Sequence, residues 1–188
     1  MGMYVWPSAP VLAQFIWKRR TQVHGKQILE IGAGTALPGI VAALLGGCVI
    51  LSDSGSYPQC KANCIETCKA NGLTDVQVLH LNWGRIDHTL LSLPKVDIIL
   101  ASDCFYDEKD FEDIVVMVAF IIEQNPTAEF WCTYQERSSD RNIEFLLNQW
   151  DLVCEQIPLS SFDAASPNIA ESDLPGDHTI HMYKIKRR

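Results

Sequence analysis

The residues best placed to do chemistry lie in "ILEIGAGTALPGI" (Ile28–Ile40), where an apolar run breaks at two glycines and resumes as a helix pattern. A chain that leaves a strand, turns round Gly32 and Gly34 and enters a helix near Leu37 or Pro38 aims backbone amides and a helix N-terminus at one point. That is a seat for a polar ligand. Asp53 closes the next apolar run, about 20 residues on, where an acid can accept hydrogen bonds from ribose hydroxyls. A nicotinamide dinucleotide is the first candidate, but Leu37 stands where its third glycine belongs, and Glu30 beside the turn would repel a pyrophosphate. Tyr57 and Lys61 have the Y-x-x-x-K spacing of one dehydrogenase class, yet they come too early in the chain, with Pro58 between them. S-adenosylmethionine has a ribose and an adenine without a pyrophosphate, and its cationic amino group suits Glu30. Asp103 ends an otherwise apolar strand, where an unpaired carboxylate would be costly unless it were used.

These residues need a scaffold, and the pattern supplies one. Apolar runs at Gln27–Ile31, Cys48–Ser52, Val76–Leu81, Val96–Ser102 and Ala128–Tyr134 alternate with helical stretches at Leu37–Leu45, Ser56–Asn71, Lys109–Glu123 and Asp140–Trp150. "VDIILAS" and "CVILS" are nearly all apolar, as expected of strands covered on both faces of a parallel sheet. The alternation predicts an open, doubly wound α/β sheet. Two more strands, Leu152–Ile157 and Thr179–Ile185, flank a long loop, Ser160–Asp177, of the kind that often serves binding. In such sheets ligands bind beyond the carboxyl ends of the strands, which is where Glu30–Gly34 and Asp53 fall.

Composition narrows the class of function. With 188 residues and 47% hydrophobic content, one domain with a substantial core is expected. No apolar run reaches the ~20 residues of a membrane helix, and no secretory leader pattern is visible, so a soluble intracellular protein is expected. A net charge of −8 argues against binding nucleic acid through a basic surface and favours a basic protein partner. Seven cysteines without a regular framework fit reduced thiols. Cys60, Cys64 and Cys68 would line one helix face, the outer two roughly 12 Å apart along the axis, too far for one zinc at Zn–S bonds of ~2.3 Å. His178 and His181 would point to opposite faces of a strand, so no metal site is expected.

Three more segments, "YVWPSAPVLAQFI" (Tyr4–Ile16), "LNWG" (Leu81–Gly84) and "ASDCFYD" (Ala101–Asp107), join "LEIGAGTALPG" in one order. In that order they resemble the family 16 seven-β-strand protein methyltransferases through nearly the whole chain. The resemblance implies a Rossmann-like class I fold, a doubly wound, mostly parallel seven-stranded sheet with helices on both faces. Its parts would be an N-terminal cofactor-lining arm and helix (1–24), a cofactor-binding core (25–150) and a C-terminal strand pair with a long loop (151–188). It implies S-adenosyl-L-methionine as cofactor and S-adenosyl-L-homocysteine as product. Trp6 would line the cofactor pocket; Glu30, Gly32, Ala33 and Gly34 would form the cofactor loop; and Asp53 would take the ribose. Asn82 and Trp83 would flank the adenine, and Ser102 would line the methionine side. Asp103 and Tyr106 would form the D-x-x-Y signature at the active-site mouth. Ala36 replaces a glycine common in the family, which implies a tighter turn. Few residues precede Val5, so weak hold on substrate is expected, and a module that mainly docks a partner protein is the alternative to an enzyme.

The family at large implies lysine on protein substrates. A narrower likeness, carried by "SFDAA" and "ESDLPGDHT", implies histone arginine and chromatin; a monomer in cytoplasm and nucleus is expected. Arginine is always charged and calls for carboxylates to clamp it. No paired-glutamate loop is visible, and Asp103, Asp107, Glu136 and Glu171 are the candidate acids.

Overall fold

In the computed structural model, which describes residues 4–136, 143–166, 168–169, 172–173 and 179–188, seven strands form one sheet. They are β1 (Gln27–Glu30), β2 (Cys48–Asp53), β3 (Gln77–His80), β4 (Ile98–Ser102), β5 (Glu129–Gln135), β6 (Leu152–Ile157) and β7 (Ile180–Arg187). Their spatial order is β3-β2-β1-β4-β5-β7-β6. The first five run parallel, and β7 lies antiparallel between β5 and β6. The mostly parallel, doubly wound sheet read from the sequence is therefore observed.

The strands are apolar throughout because both faces are covered. Ile28, Leu51, Leu100 and Trp131 join one core, packed by α1 (Ser8–Lys18), α3 (Leu37–Leu44) and α4 (Pro58–Ala70). Between α1 and α3 in the chain lies the short α2 (Arg20–Val23). Their neighbours Leu29, Ile50, Ile99 and Phe130 join the other core, under α5 (His88–Leu91), α6 (Phe111–Gln124) and α7 (Glu144–Gln149). Along α4 the predicted cysteine stripe faces inward, with Cys60, Cys64 and Cys68 all buried.

Local chemistry sets the element ends. α6 begins after a 3-10 turn, Glu108–Asp110, and carries Glu112 and Asp113 in its first turn, where carboxylates favour the positive end of the helix dipole. α5 escapes sequence reading because four residues cannot show a 3.6 period. Asp87 starts it, accepting from the Thr89 and Leu90 amides at 3.0 and 3.1 Å. Within the predicted long loop, Leu159–Phe162 forms a 3-10 turn and Asn168–Ile169 pairs with Ser172–Asp173. The expected helix start at Asp140 lies outside the described residues, as do Glu171 and His178. Among the described residues no helix is long and apolar enough to cross a membrane.

The order has one consequence for function. β1 lies between β2 and β4, so the chain winds one way from β1 and later crosses to its other side. The crevice this opens at the carboxyl ends of β1 and β4 is where open α/β sheets bind ligands.

Candidate functional site

The glycine turn follows β1 directly. Gly32 and Gly34 have φ of +61° and +54°, and Ala36, which starts α3, has φ +60°. The left-handed region costs an L-residue about 1–2 kcal/mol, which is why glycine serves at the first two positions. At Ala36 a side chain is carried there nonetheless, and its methyl is fully buried. Gly32 is demanded by space as well: a Cβ there would meet Cys104 Sγ at 2.8 Å and the Trp83 ring at 3.0 Å. Gly32→Ala should therefore destabilise the fold by about 2–4 kcal/mol, strain and overpacking together. Urea unfolding checks this; an unchanged midpoint would mean that Cys104 and Trp83 move aside freely.

Two buried thiols support the turn from below. Cys104 Sγ donates to the Ile31 carbonyl and Cys64 Sγ to the Gly34 carbonyl, each at 3.4 Å. Burial pushes both thiols up, Cys64 to about 12 and Cys104 well above its ordinary value, so they stay neutral donors rather than nucleophiles. Nothing in the spacing of the cysteines announced this service to the turn.

Asp53 closes the pocket wall from β2. Its Oδ2 accepts from Gly34 N at 2.8 Å and its Oδ1 from Ser54 N at 2.7 Å, which leaves lone pairs on both oxygens for a ligand. Asn82, just past β3, accepts from Ser54 Oγ and Gly55 N at 3.0 Å each, tying the two loops together. Trp83 covers Gly32 and packs on the second core, with Tyr106 tilted toward it at 6.4 Å. Ala33 is buried, its amide bonded to Ser52 O at 2.9 Å, so it contributes backbone shape rather than a side chain.

Glu30 differs from expectation. It is fully buried beneath the turn, facing α3, and its Oε2 accepts from Gly39 N at 2.9 Å. Burial pushes its carboxyl up to about 8, with Asp53 adding to the rise and the Gly39 amide opposing it. At pH 7 it is mostly neutral, so it does not offer a charge to a cationic group. It holds the N-terminal turn of α3, and through it the glycine turn. Period two along β1 accounts for this, since Glu30 shares the face of buried Ile28.

The other half of the crevice follows β4. Ser102 ends the strand, paired with Thr133, and Asp103 takes φ +56° with only 6% of its surface exposed. A buried, left-handed, non-glycine residue is a strained one, and such residues collect at functional sites. Its amide donates to Thr133 O at 2.8 Å, and its Oδ1 accepts from Gln135 N at 3.4 Å. Phe105 packs inward on Phe111, which turns Tyr106 out to 40% exposure. Burial, then the nearby Asp110, raises the Tyr106 phenol, so it stays protonated. Trp6 stands just before α1, edge-on to Tyr4 at 5.3 Å. The same helix start reaches the β4–β5 edge, where Ser8 O accepts from Thr133 Oγ1 at 2.9 Å. The two loops meet directly, since Ile31 N donates to Leu100 O at 2.9 Å and Cys104 Sγ to Ile31 O.

The donor set fits S-adenosylmethionine. Asp53 has acceptor lone pairs to offer and Asn82, its Oδ1 taken by Ser54 and Gly55, has amide N–H donors, Trp83 and Tyr106 add aromatic rings, and residues 32–36, 52–55, 81–84 and 102–106 contain no Lys or Arg to hold a pyrophosphate.

Known proteins agree with this geometry. A family model described as "Lysine methyltransferase" matches residues 1–149. Histone-arginine methyltransferase METTL23 of Homo sapiens is 53% identical over 183 residues, 97% of this chain and 96% of that protein. Its Xenopus laevis counterpart is 53% identical over 98% of this chain and 79% of its own length. Protein N-lysine methyltransferase METTL21A of Danio rerio is 31% identical over 75% of this chain and 70% of its own length. Among solved structures, a SAM dependent methyltransferase from Aquifex aeolicus superposes with a TM-score of 0.66 at 15% identity, over 96% of this chain and 93% of that one. The chain belongs to the lysine methyltransferase family and is a seven-stranded, S-adenosylmethionine-dependent methyltransferase.

Proposed function

We propose that the chain methylates a side-chain nitrogen of a basic protein, with histone arginine as its substrate and chromatin in the nucleus, besides the cytoplasm, as its setting. One observation carries the reading. At the switch point of the sheet a glycine turn with a ribose-type acid meets a strained, buried aspartate followed by an exposed tyrosine.

In this reading the glycine turn Gly32–Gly34, the Asp53 carboxylate, Asn82 and Trp83 hold the nucleoside, while Ser102 and Trp6 line the methionine side. When bound, S-adenosylmethionine supplies an electrophilic methyl carbon on a sulfonium. Asp103 faces the incoming nitrogen, orienting it and balancing the positive charge that grows there. Tyr106, neutral, offers a hydrogen bond and an aromatic face to the cation. A lysine must first lose a proton at a cost of about 4–5 kcal/mol near pH 7, whereas an arginine stays charged and must be held. Arginine is supported by the 53% likeness to proteins named for it, against 31% for one named for lysine.

Core histones incubated with the whole chain and methyl-labelled donor, then hydrolysed to amino acids, should yield labelled methylarginine. Absence of label from every histone would sink the substrate reading. Asp53→Ala should weaken S-adenosylhomocysteine binding about 30- to 100-fold, the value of about 2–3 kcal/mol of charge-assisted bonds. Calorimetry measures it, with NAD as a control expected to give no heat; unchanged affinity would remove Asp53 from the site.

A further inference from the structure

One group of side chains at the carboxyl edge has no part in the cofactor half. Glu136 follows β5 directly, its amide donating to Thr179 O at 2.8 Å. Its Oε2 accepts from His181 Nε2 at 3.0 Å. The other nitrogen, His181 Nδ1, lies 2.8 Å from Gln156 Nε2, and the amide donates to it. That second bond leaves the imidazole proton on Nε2, pointed at Glu136. The imidazole stacks on Tyr134, centroids 6.4 Å apart at 20°, so the ring is held by a hydrogen bond at each nitrogen and an aromatic face. Three strands, β5, β6 and β7, thus converge to fix one carboxylate, whose side chain remains about a third exposed. A surface glutamate kept only for solubility needs no such support.

The fixed carboxylate stands beside the strained aspartate. Asp103 Oδ1 accepts from the amide of Gln135, the residue immediately before Glu136. The register pairs Ser102 with Thr133, so Asp103 lies alongside Tyr134, and Glu136 lies two residues further out along the strand line. At about 3.3 Å per residue the backbone positions of the two acids are offset by roughly 7 Å along the edge. An ammonium donates from a single nitrogen, so it bridges only acceptors that come close together. A planar guanidinium, with five N–H groups spread over three edges, reaches acceptors on two sides at once.

Resting on the methyltransferase reading above, we propose that Glu136 is the second carboxylate of the substrate site and, with Asp103, clamps an arginine guanidinium, His181 and Gln156 being its positioning residues. Glu136→Gln keeps an acceptor for His181 and removes only the charge. On core histones with methyl-labelled donor it should lower kcat/KM for methylarginine formation about 30-fold or more, with S-adenosylhomocysteine affinity within twofold of wild type. His181→Ala should lose less, and His181→Gln, which restores an N–H donor, should recover most of that loss. Wild-type label in arginine with Glu136→Gln unimpaired would overturn the role of Glu136 and leave the methyltransferase reading intact. Wild-type label in lysine alone would overturn the guanidinium clamp while sparing the chemistry. No label in any histone would remove the substrate reading and the clamp together.

Discussion

The Asp103→Asn variant should methylate protein about 100- to 1,000-fold more slowly than wild type while binding S-adenosylhomocysteine within about twofold, the size of effect seen when one preorganised charge partner is removed. Asparagine is the informative replacement because of the backbone. Asp103 sits at φ +56°, a conformation that Asn, like Asp, adopts more readily than other non-glycine residues, whereas Ala would add strain of its own. The amide oxygen can still accept from Gln135 N, so the bond to β5 survives and only the negative charge is lost. The expected loss corresponds to about 2.7–4 kcal/mol of transition-state stabilisation. Steady-state turnover against histones, with calorimetry on the same preparations, separates the two quantities. Equal turnover would move the chemistry away from Asp103, and parallel losses in turnover and cofactor affinity would make it a scaffold residue.

What could be read beforehand depended on how local its cause was. β4 and β2 read as buried strands because alternate residues of each enter different cores, Ile98 and Leu100 one, Ile99 and Ala101 the other. The glycine turn was legible because left-handed backbone at Gly32 and Gly34 leaves glycine as its signature. The orientation of Glu30 was legible in principle from strand parity, yet the charge beside the turn invited a different reading. The pairing of Glu136 with His181 was not legible, since it depends on β7 returning antiparallel beside β5, 45 residues later in the chain. Likewise the strain at Asp103 follows from the approach of β5 and the inward packing of Phe105, neither of which a motif states.

Burial of Glu30 should make the stability of the whole domain depend on pH in an unusual direction. Its carboxyl is raised from 4.5 to about 8 in the folded chain, first by burial and then by Asp53. Below the unfolded value it is protonated in both states and its titration costs the fold nothing. Between about 4.5 and 8 the unfolded chain gains by ionising while the folded chain does not, so stability falls as pH rises, levelling off above the folded value. Across the whole window the loss amounts to about 4–5 kcal/mol, and from pH 6 to pH 8.5 to about 2–3 kcal/mol. Glu30→Gln removes the titration while leaving an acceptor for Gly39 N, and every other titrating group is common to both proteins. The wild type should therefore lose about 2–3 kcal/mol more than Glu30→Gln between those pH values in urea unfolding. Parallel pH profiles would mean that the carboxyl is solvated in the native state. Because ionised Glu30 repels Asp53, the acid that binds Gly34, its ionisation also loosens the turn proposed to hold the cofactor. S-adenosylhomocysteine affinity should then decline above pH 8 in the wild type and hold in Glu30→Gln, tying a buried carboxyl that never reaches the surface to the binding of the ligand above it.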